Sequence, residues 1–420
     1  MTKLPEDLSH QAVKGANFAQ SAAKLGARKF RDRIHESRLS ADFYPQDTDE
    51  FIAAAYFGVG MDSVYQLEQW LWPFEQLEAE LKRSGHGDQP FGIIVRSPMV
   101  AKHLRNVTQL PVRFSRLTKG LDEFMTSSSL RTVFYVNQST PNFQALRYPN
   151  PAHVHLSHGE SEKISMISNQ LKAYDYVFTA GEAARVRIEH SLVGMDSKRL
   201  RDVGRPQLDR PREIAQAWRE FDAEAPAGMT VFYAPTWEGD SPSMAYGTLA
   251  DNGAMLVSNM LAAGFRVIFR PHPRTGVRDR NFKIALDEVC AIVDSDPRGL
   301  LDVTSDVSWQ FDVADRALVE MSSVAFDWLS TRKPLVMIKP CRSDSMVLPG
   351  GLFERTPTIG KGSEDSLIEL LSNQTDSVER AAQLCEYYLG STVQGAQIDR
   401  FYSATKQVIA ERNRNLTGRP

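Results

Sequence analysis

The stretch "LADNGAMLVSNMLAAGFRVIFRPHPRTG", Leu249–Gly276, decides the reading of the fold. Leu249–Ala263 reads as a helix and Phe265–Phe269 as a buried strand, the alternation expected of βαβ units around a parallel sheet. Just past the strand stand Arg270 and then His272, bracketed by Pro271 and Pro273. Two prolines remove two backbone donors and stiffen the chain on both sides of the imidazole. Arg270, His272 and Arg274 offer donors suited to phosphate oxygens on a loop whose rigidity lowers the entropy of holding them. The plainer alternative is a salt-bridged surface turn.

The same alternation runs outward in both directions. Strands are expected at Phe51–Phe57, Phe91–Val95, Thr132–Val136, Val154–Ser157, Tyr176–Ala180 and Leu200–Val203. Between the first two, "SVYQLEQWLWPFEQLEAELKRSG" is a helix interrupted at Pro73 and stopped by Gly85. After the polar stretch "EFDAEAPAGM" come a strand at Met229–Tyr233, the opening helix and strand, a helix at Asn281–Cys290, a strand at Val313–Met321, a helix at Ser323–Arg332 and a strand at Leu335–Ile338. "SVERAAQLCEYYLG" and "QIDRFYSATKQVIAERN" close the chain as helices. The expected organisation is α/β: a basic N-terminal helical arm over residues 1–45, Rossmann-like domains over 46–210 and 225–390, and a C-terminal helix over 391–420. Such sheets bind ligands at the carboxyl ends of their strands, here in a cleft between the domains.

Length and composition agree with this. At 420 residues the chain exceeds one ordinary core, and 42% hydrophobic with 24% charged residues describes a folded protein. There is no run of about eighteen apolar residues and no secretory-type start, which favours the cytoplasm. Three cysteines, Cys290, Cys341 and Cys385, form no CxxC pair and are expected as buried thiols. The net charge of −3 gives no global attraction for nucleic acid. Locally, Lys14, Lys24, Arg28, Lys29, Arg31, Arg33 and Arg38 outnumber Asp32 and Glu36. With Phe18, Ala22, Leu25, Phe30 and Ile34 as a loose apolar stripe, this segment suits either domain packing or an anionic membrane surface.

Three further segments end strands with chemically useful residues. In "HVHLSHGESEK", His153 and His155 share a strand face, while His158 lies beyond the strand beside Gly159, placed as a general base or as a plain loop histidine. A zinc site from the three histidines lacks a carboxylate at a recognised spacing. In "FYAPTWEG", Thr236 and Trp237 are offered at a strand tip, the indole for a base or for packing. In "VEMSSVAFD", a strand delivers Glu320, and Ser322 and Ser323 open a helix; serines there cap, and the same end also suits a phosphate. Glu320 could meet ribose hydroxyls. "FGVGMD" with Gly58 and Gly60 is an incomplete dinucleotide signal, and Asp294 and Asp296 in "VDSDP" read as a polar turn rather than a metal pair.

In order, these segments resemble the CDP-glycerol glycerophosphotransferases, the teichoic-acid primases and polymerases, whose pattern runs "HGTPLK", "GxPRxD", "YAPTWR", "RPHP" and "DYSSxxFD…kP". Here it appears as His158–Lys163, Gly204–Asp209, Tyr233–Glu238, Arg270–Pro273 and Glu320–Asp327, then Lys333-Pro334. Departures are Glu160-Ser161 for Thr-Pro, Gln207 and Glu238 for arginines, and Glu320 for aspartate. The resemblance, over roughly residues 150–340, implies the two-domain GT-B fold and transfer of an alditol phosphate from a CDP-activated donor to a lipid-linked or polymeric acceptor. It implies His158 as the base on the acceptor hydroxyl and His272, facing it across the cleft, as the stabiliser of phosphate charge. Lys163, Thr236, Arg270, Arg274, Glu320, Ser322, Ser323 and Asp327 are the expected substrate contacts, Glu320 and Asp327 positioning the nucleotide or supporting the loop. No metal or cofactor is required by this scheme. The alternatives are a GT-B nucleotide-sugar glycosyltransferase of envelope polysaccharide and a non-catalytic nucleotide-binding relic.

Overall fold

A computed structural model describes residues 31–163, 166–304, 307–373 and 377–418. Lys14, Lys24, Arg28 and Lys29, with the apolar positions Phe18 to Phe30 of the N-terminal arm, lie outside the described residues. By contacts the chain groups into two compact units, one running to Val154 and resuming at Val408, the other His155–Gln407.

Thirteen strands among the described residues build two parallel sheets. β1 (Ala53–Phe57), β2 (Phe91–Val95), β3 (Val112–Phe114), β4 (Thr132–Tyr135), β5 (Ala152–His155), β6 (Tyr176–Thr179) and β7 (Leu200–Asp202) are ordered β3-β2-β1-β4-β5-β6-β7. β8 (Thr230–Ala234), β9 (Arg266–Phe269), β10 (Gly299–Leu301), β11 (Arg316–Val319), β12 (Leu335–Ile338) and β13 (Thr358–Ile359) are ordered β10-β9-β8-β11-β12-β13. Both orders reverse direction beside a central strand, the doubly wound topology.

The second sheet shows why the apolar runs are continuous rather than alternating. Phe232, Ile268, Ala317, Val319, Leu335 and Met337 enter one core. Their strand neighbours Val231, Tyr233, Val267, Phe269, Leu318, Val336 and Ile338 enter a second. Successive side chains point to opposite faces, so both faces are covered and the runs are apolar after the first residues Thr230, Arg266 and Arg316. Each large side chain buried there contributes about 1.5–3 kcal/mol.

Several expectations are corrected. β3, β10 and β13 were not anticipated: each has three residues or fewer, and β3 carries Arg113 at its centre, paired with Asp49 at 2.7 Å. The helix before β2 is not interrupted at Pro73. The break precedes it, between Tyr65–Glu68 and Leu71–Arg83, and Pro73 sits in the first turn, where no intrahelical N–H is required. Gly85 does terminate that helix, with φ 82°. Leu249–Gly253 is a π turn continuing into the α-helix Ala254–Ala262. Among the cysteines only Cys385 is fully buried; Cys290 and Cys341 are half-buried, and all three are free. Asp296 pairs with Arg298 at 2.8 Å, which closes the turn after the helix Arg280–Ser295.

Candidate functional site

The site lies within the unit His155–Gln407. β5 ends at His155, and the chain turns at Ser157, whose φ of 69° is left-handed, a region that non-glycine residues seldom enter. Ser157 Oγ donates to the Gly159 carbonyl at 2.7 Å and holds the turn. His158 is thus presented from a strained strand end, a setting typical of functional residues. Gly159 is needed for close approach, because a Cβ there would stand 3.2 Å from the Ser323 Cβ. The His158 loop therefore lies against the first turn of the helix Ser323–Trp328. Behind it His155 is fully buried against Tyr174, and burial, with His158 a lesser cause, pushes its imidazole down to about 3.

Two acidic residues of this loop, Glu160 and Glu162, are internal supports. Glu160 pairs with buried Arg187. Glu162 accepts hydrogen bonds from the Tyr388 hydroxyl at 2.6 Å and the Leu352 N–H at 2.8 Å, and burial raises its carboxyl. Lys163 places its ammonium 5.6 Å from the centre of the Tyr246 ring. Burial lowers its pKa, against the pull of Glu320 and Asp240.

His272 stands on a turn that starts after β9. Its Nδ1 accepts the Arg274 backbone N–H at 3.1 Å, which assigns the ring proton to Nε2. Burial, followed by Lys163 and Arg274, depresses the imidazole to about 4. At neutral pH the ring is an uncharged N–H donor rather than a cation. Trp237 stacks nearly parallel to it, with ring centres 6.1 Å apart at 20°. The Arg274 guanidinium lies 3.7 Å over the same indole and bonds Asp240 at 3.2 Å. Trp237 is 7% exposed, and its packing is against the histidine.

The strand-end residue Glu320 is 0% exposed. Its carboxylate accepts from the Thr236 N–H at 2.7 Å, the Thr248 N–H at 2.7 Å and the Thr248 hydroxyl at 2.6 Å. Burial pushes this carboxyl up to about 7, against those three donors. A residue so enclosed braces the two loops instead of meeting ribose. Ser322 is the residue before the helix, yet it makes no side-chain cap bond, contrary to the capping expected of it. Its Oγ is buried without a hydrogen-bond partner among the described residues. An unsatisfied hydroxyl at a helix start is suited to an incoming oxygen.

Other expected contacts are engaged within the protein. Arg270 is buried and pairs with Asp302 at 2.6 Å and Thr304 Oγ1 at 3.1 Å. Asp327 receives Arg205 in a two-pronged pair at 2.9 and 3.2 Å. Lys333 gives its ammonium to the carbonyls of Phe311, Asp312 and Ala314. Asp209 caps the helix Ala396–Thr417 through the N–H groups of Gln397 and Ile398 at 2.9 and 2.8 Å. His153 is a core residue bonded to the Tyr135 hydroxyl and the Tyr148 carbonyl, each at 2.8 Å. Among the described residues no cluster of three His, Cys, Asp or Glu side chains is placed for a metal. No helix among them is long and apolar enough to cross a membrane.

The structure therefore brings together His158, Lys163, His272, Ser322 and Ser323, with Arg274 at the His272 turn. Tyr246 and Asp240 escaped the sequence reading, since the segment after Glu238 that supplies them has neither periodicity nor a recognisable motif.

Residues 151–345 match the family model described as CDP-glycerol:poly(glycerophosphate) glycerophosphotransferase. No curated protein matches the chain by sequence. Among solved structures, the wall teichoic acid polymerase TagF is similar at 16% identity and TM-score 0.53, covering 94% of this chain and 97% of that one. A putative UDP-N-acetylglucosamine 2-epimerase from Listeria monocytogenes is similar at 13% identity and TM-score 0.56, covering 86% and 97%. The UDP-GlcNAc 2-epimerase of Methanocaldococcus jannaschii gives 12% and 0.54, covering 84% and 99%. These likenesses establish the fold, GT-B-like with two parallel sheets.

Proposed function

We propose that this chain, a transferase of the CDP-glycerol glycerophosphotransferase type over residues 151–345, moves an alditol phosphate from a CDP-activated donor to a hydroxyl of a cell-envelope polymer or lipid-linked acceptor and releases CMP. The observation that carries this is the convergence of the His158 turn, Lys163, the His272 turn and the unsatisfied Ser322 hydroxyl. The fold itself makes no choice of donor, because polymerase and epimerases share it.

In this reading His158 takes the proton of the acceptor hydroxyl as its oxygen attacks the β-phosphorus. The bond from that phosphorus to the bridging oxygen breaks, and CMP departs with the electron pair. His272 donates its Nε2–H to a phosphate oxygen, while Lys163 and Arg274 supply the positive charge that a neutral imidazole does not. Ser322 Oγ and the first N–H groups of the helix Ser323–Trp328 hold the diphosphate. Thr236, Glu320, Arg270 and Asp327 act from behind, keeping the strand-end loops in place. Fixed donors of this kind stabilise developing phosphate charge, so the scheme requires no cofactor.

His158→Ala and His272→Ala are each expected to lower CMP release about 100-fold or more while CDP binding persists. Full turnover in His158→Ala would remove the base assignment.

A further inference from the structure

Glu238 stands where the resembling family has an arginine, and its carboxylate is fully engaged. Oε1 accepts the backbone N–H groups of Arg278 at 2.7 Å and Asp279 at 3.1 Å, and Oε2 accepts that of Gly276 at 3.0 Å. Three donors from one short loop thus converge on a single side chain, an arrangement only an acceptor-rich group can satisfy. The loop they belong to begins at His272. Within it the Thr275 N–H bonds the His272 carbonyl at 2.9 Å, the Arg274 N–H bonds His272 Nδ1 at 3.1 Å, and Gly276 takes a φ of 77°. A Cβ on Gly276 would meet the Lys283 Cα at 2.8 Å, so the turn is also closed against the next helix. Trp237, next to Glu238 in sequence, stacks on the imidazole of the same turn.

We infer that Glu238 is a positioning residue for His272: by gathering the N–H groups of residues 276, 278 and 279 it fixes the turn in which Arg274 N–H meets Nδ1, and so keeps the imidazole proton on Nε2 for the donor phosphate. The inference rests on the transfer reading for its consequence and on the hydrogen bonds alone for its geometry. An arginine at this position carries only donors and cannot gather those N–H groups. The exchange of arginine for glutamate therefore replaces a cation by a loop clamp. The charged groups that bear on His272 are Lys163, Arg274, Glu238 and Arg270.

The test uses the full chain carrying Glu238→Gln, which preserves shape but turns one acceptor into a donor facing an N–H. Imidazole nitrogen NMR, with the His272 signals identified by their loss in His272→Gln, reads the tautomer directly. The wild type is expected as the Nε2–H form, and Glu238→Gln as a mixture with Nδ1–H. Its kcat for CMP release should fall about tenfold or more, with the donor KM within about twofold. Glu238→Asp, which keeps the charge and shortens the reach, should fall between them and serves if the glutamine variant does not fold. An unchanged tautomer overturns the inference, as does a changed tautomer with wild-type kcat. If the wild type turns over no CDP donor, the transfer reading fails while the NMR arm still decides whether Glu238 sets the tautomer.

Discussion

Glu320 gives the most quantitative consequence of this architecture. Its carboxylate is fully buried, and burial raises it from 4.5 to about 7 despite three hydrogen-bond donors. A carboxyl raised on folding means the folded chain holds the proton more tightly than the unfolded one. The associated stability is complete below about pH 4.5 and is lost as pH rises through about 7. That rise corresponds to about 3 kcal/mol in all, most of it accumulating between pH 5 and 8. His155 and His272, pushed down to about 3 and about 4, act in the opposite sense, adding stability as pH rises towards 6.5. Comparison with Glu320→Gln cancels their contribution. Urea denaturation followed by tryptophan fluorescence at pH 5, 6, 7 and 8 should show the wild type losing about 2–3 kcal/mol relative to Glu320→Gln across that range. A difference constant to within about 0.5 kcal/mol would refute the assignment of Glu320 as a buried, proton-holding brace.

Two further variants separate catalysis from folding. Gly159→Ala forces a Cβ to within 3.2 Å of the Ser323 Cβ and should lower turnover about tenfold with a stability change under about 1 kcal/mol, checked by CMP release and denaturation side by side. Asp209→Ala removes the acceptor for two N–H groups at the start of the helix Ala396–Thr417 and should cost about 1–2 kcal/mol in urea denaturation; no loss would show that the cap is dispensable.

The interior strands were legible because parallel sheets covered on both faces demand continuous apolar runs, and β2 and β12 begin and end where those runs do. The edge strands β3, β10 and β13 were not, since β3 carries Arg113 at its centre, β10 has no fully buried residue and β13 has two residues in all, whereas the edge strand β7 was found at Leu200. Within the site, His158, His272 and Ser322 could be found because they follow strand ends, where ligands of such sheets bind. Arg270 and Glu320 satisfied the same rule and, like Asp327 in the following helix, have the right chemistry, yet each is engaged by a residue remote in sequence: Asp302, Thr248 and Arg205. Residue type shows what a side chain is able to bind, and only packing decides what it does bind. Glu160 and Glu238 illustrate the converse, since they depart from the family pattern in charge while their hydrogen bonds are directed inward, to Arg187 and to the His272 loop.

Which bond is broken is read directly by a donor screen. The protein is incubated with CDP-glycerol, CDP-ribitol and UDP-sugars, with and without EDTA, and the released nucleotide is identified. CMP from a CDP-alditol, undiminished by the chelator, is the expected product; release of UDP alone would overturn transfer from a CDP-activated donor.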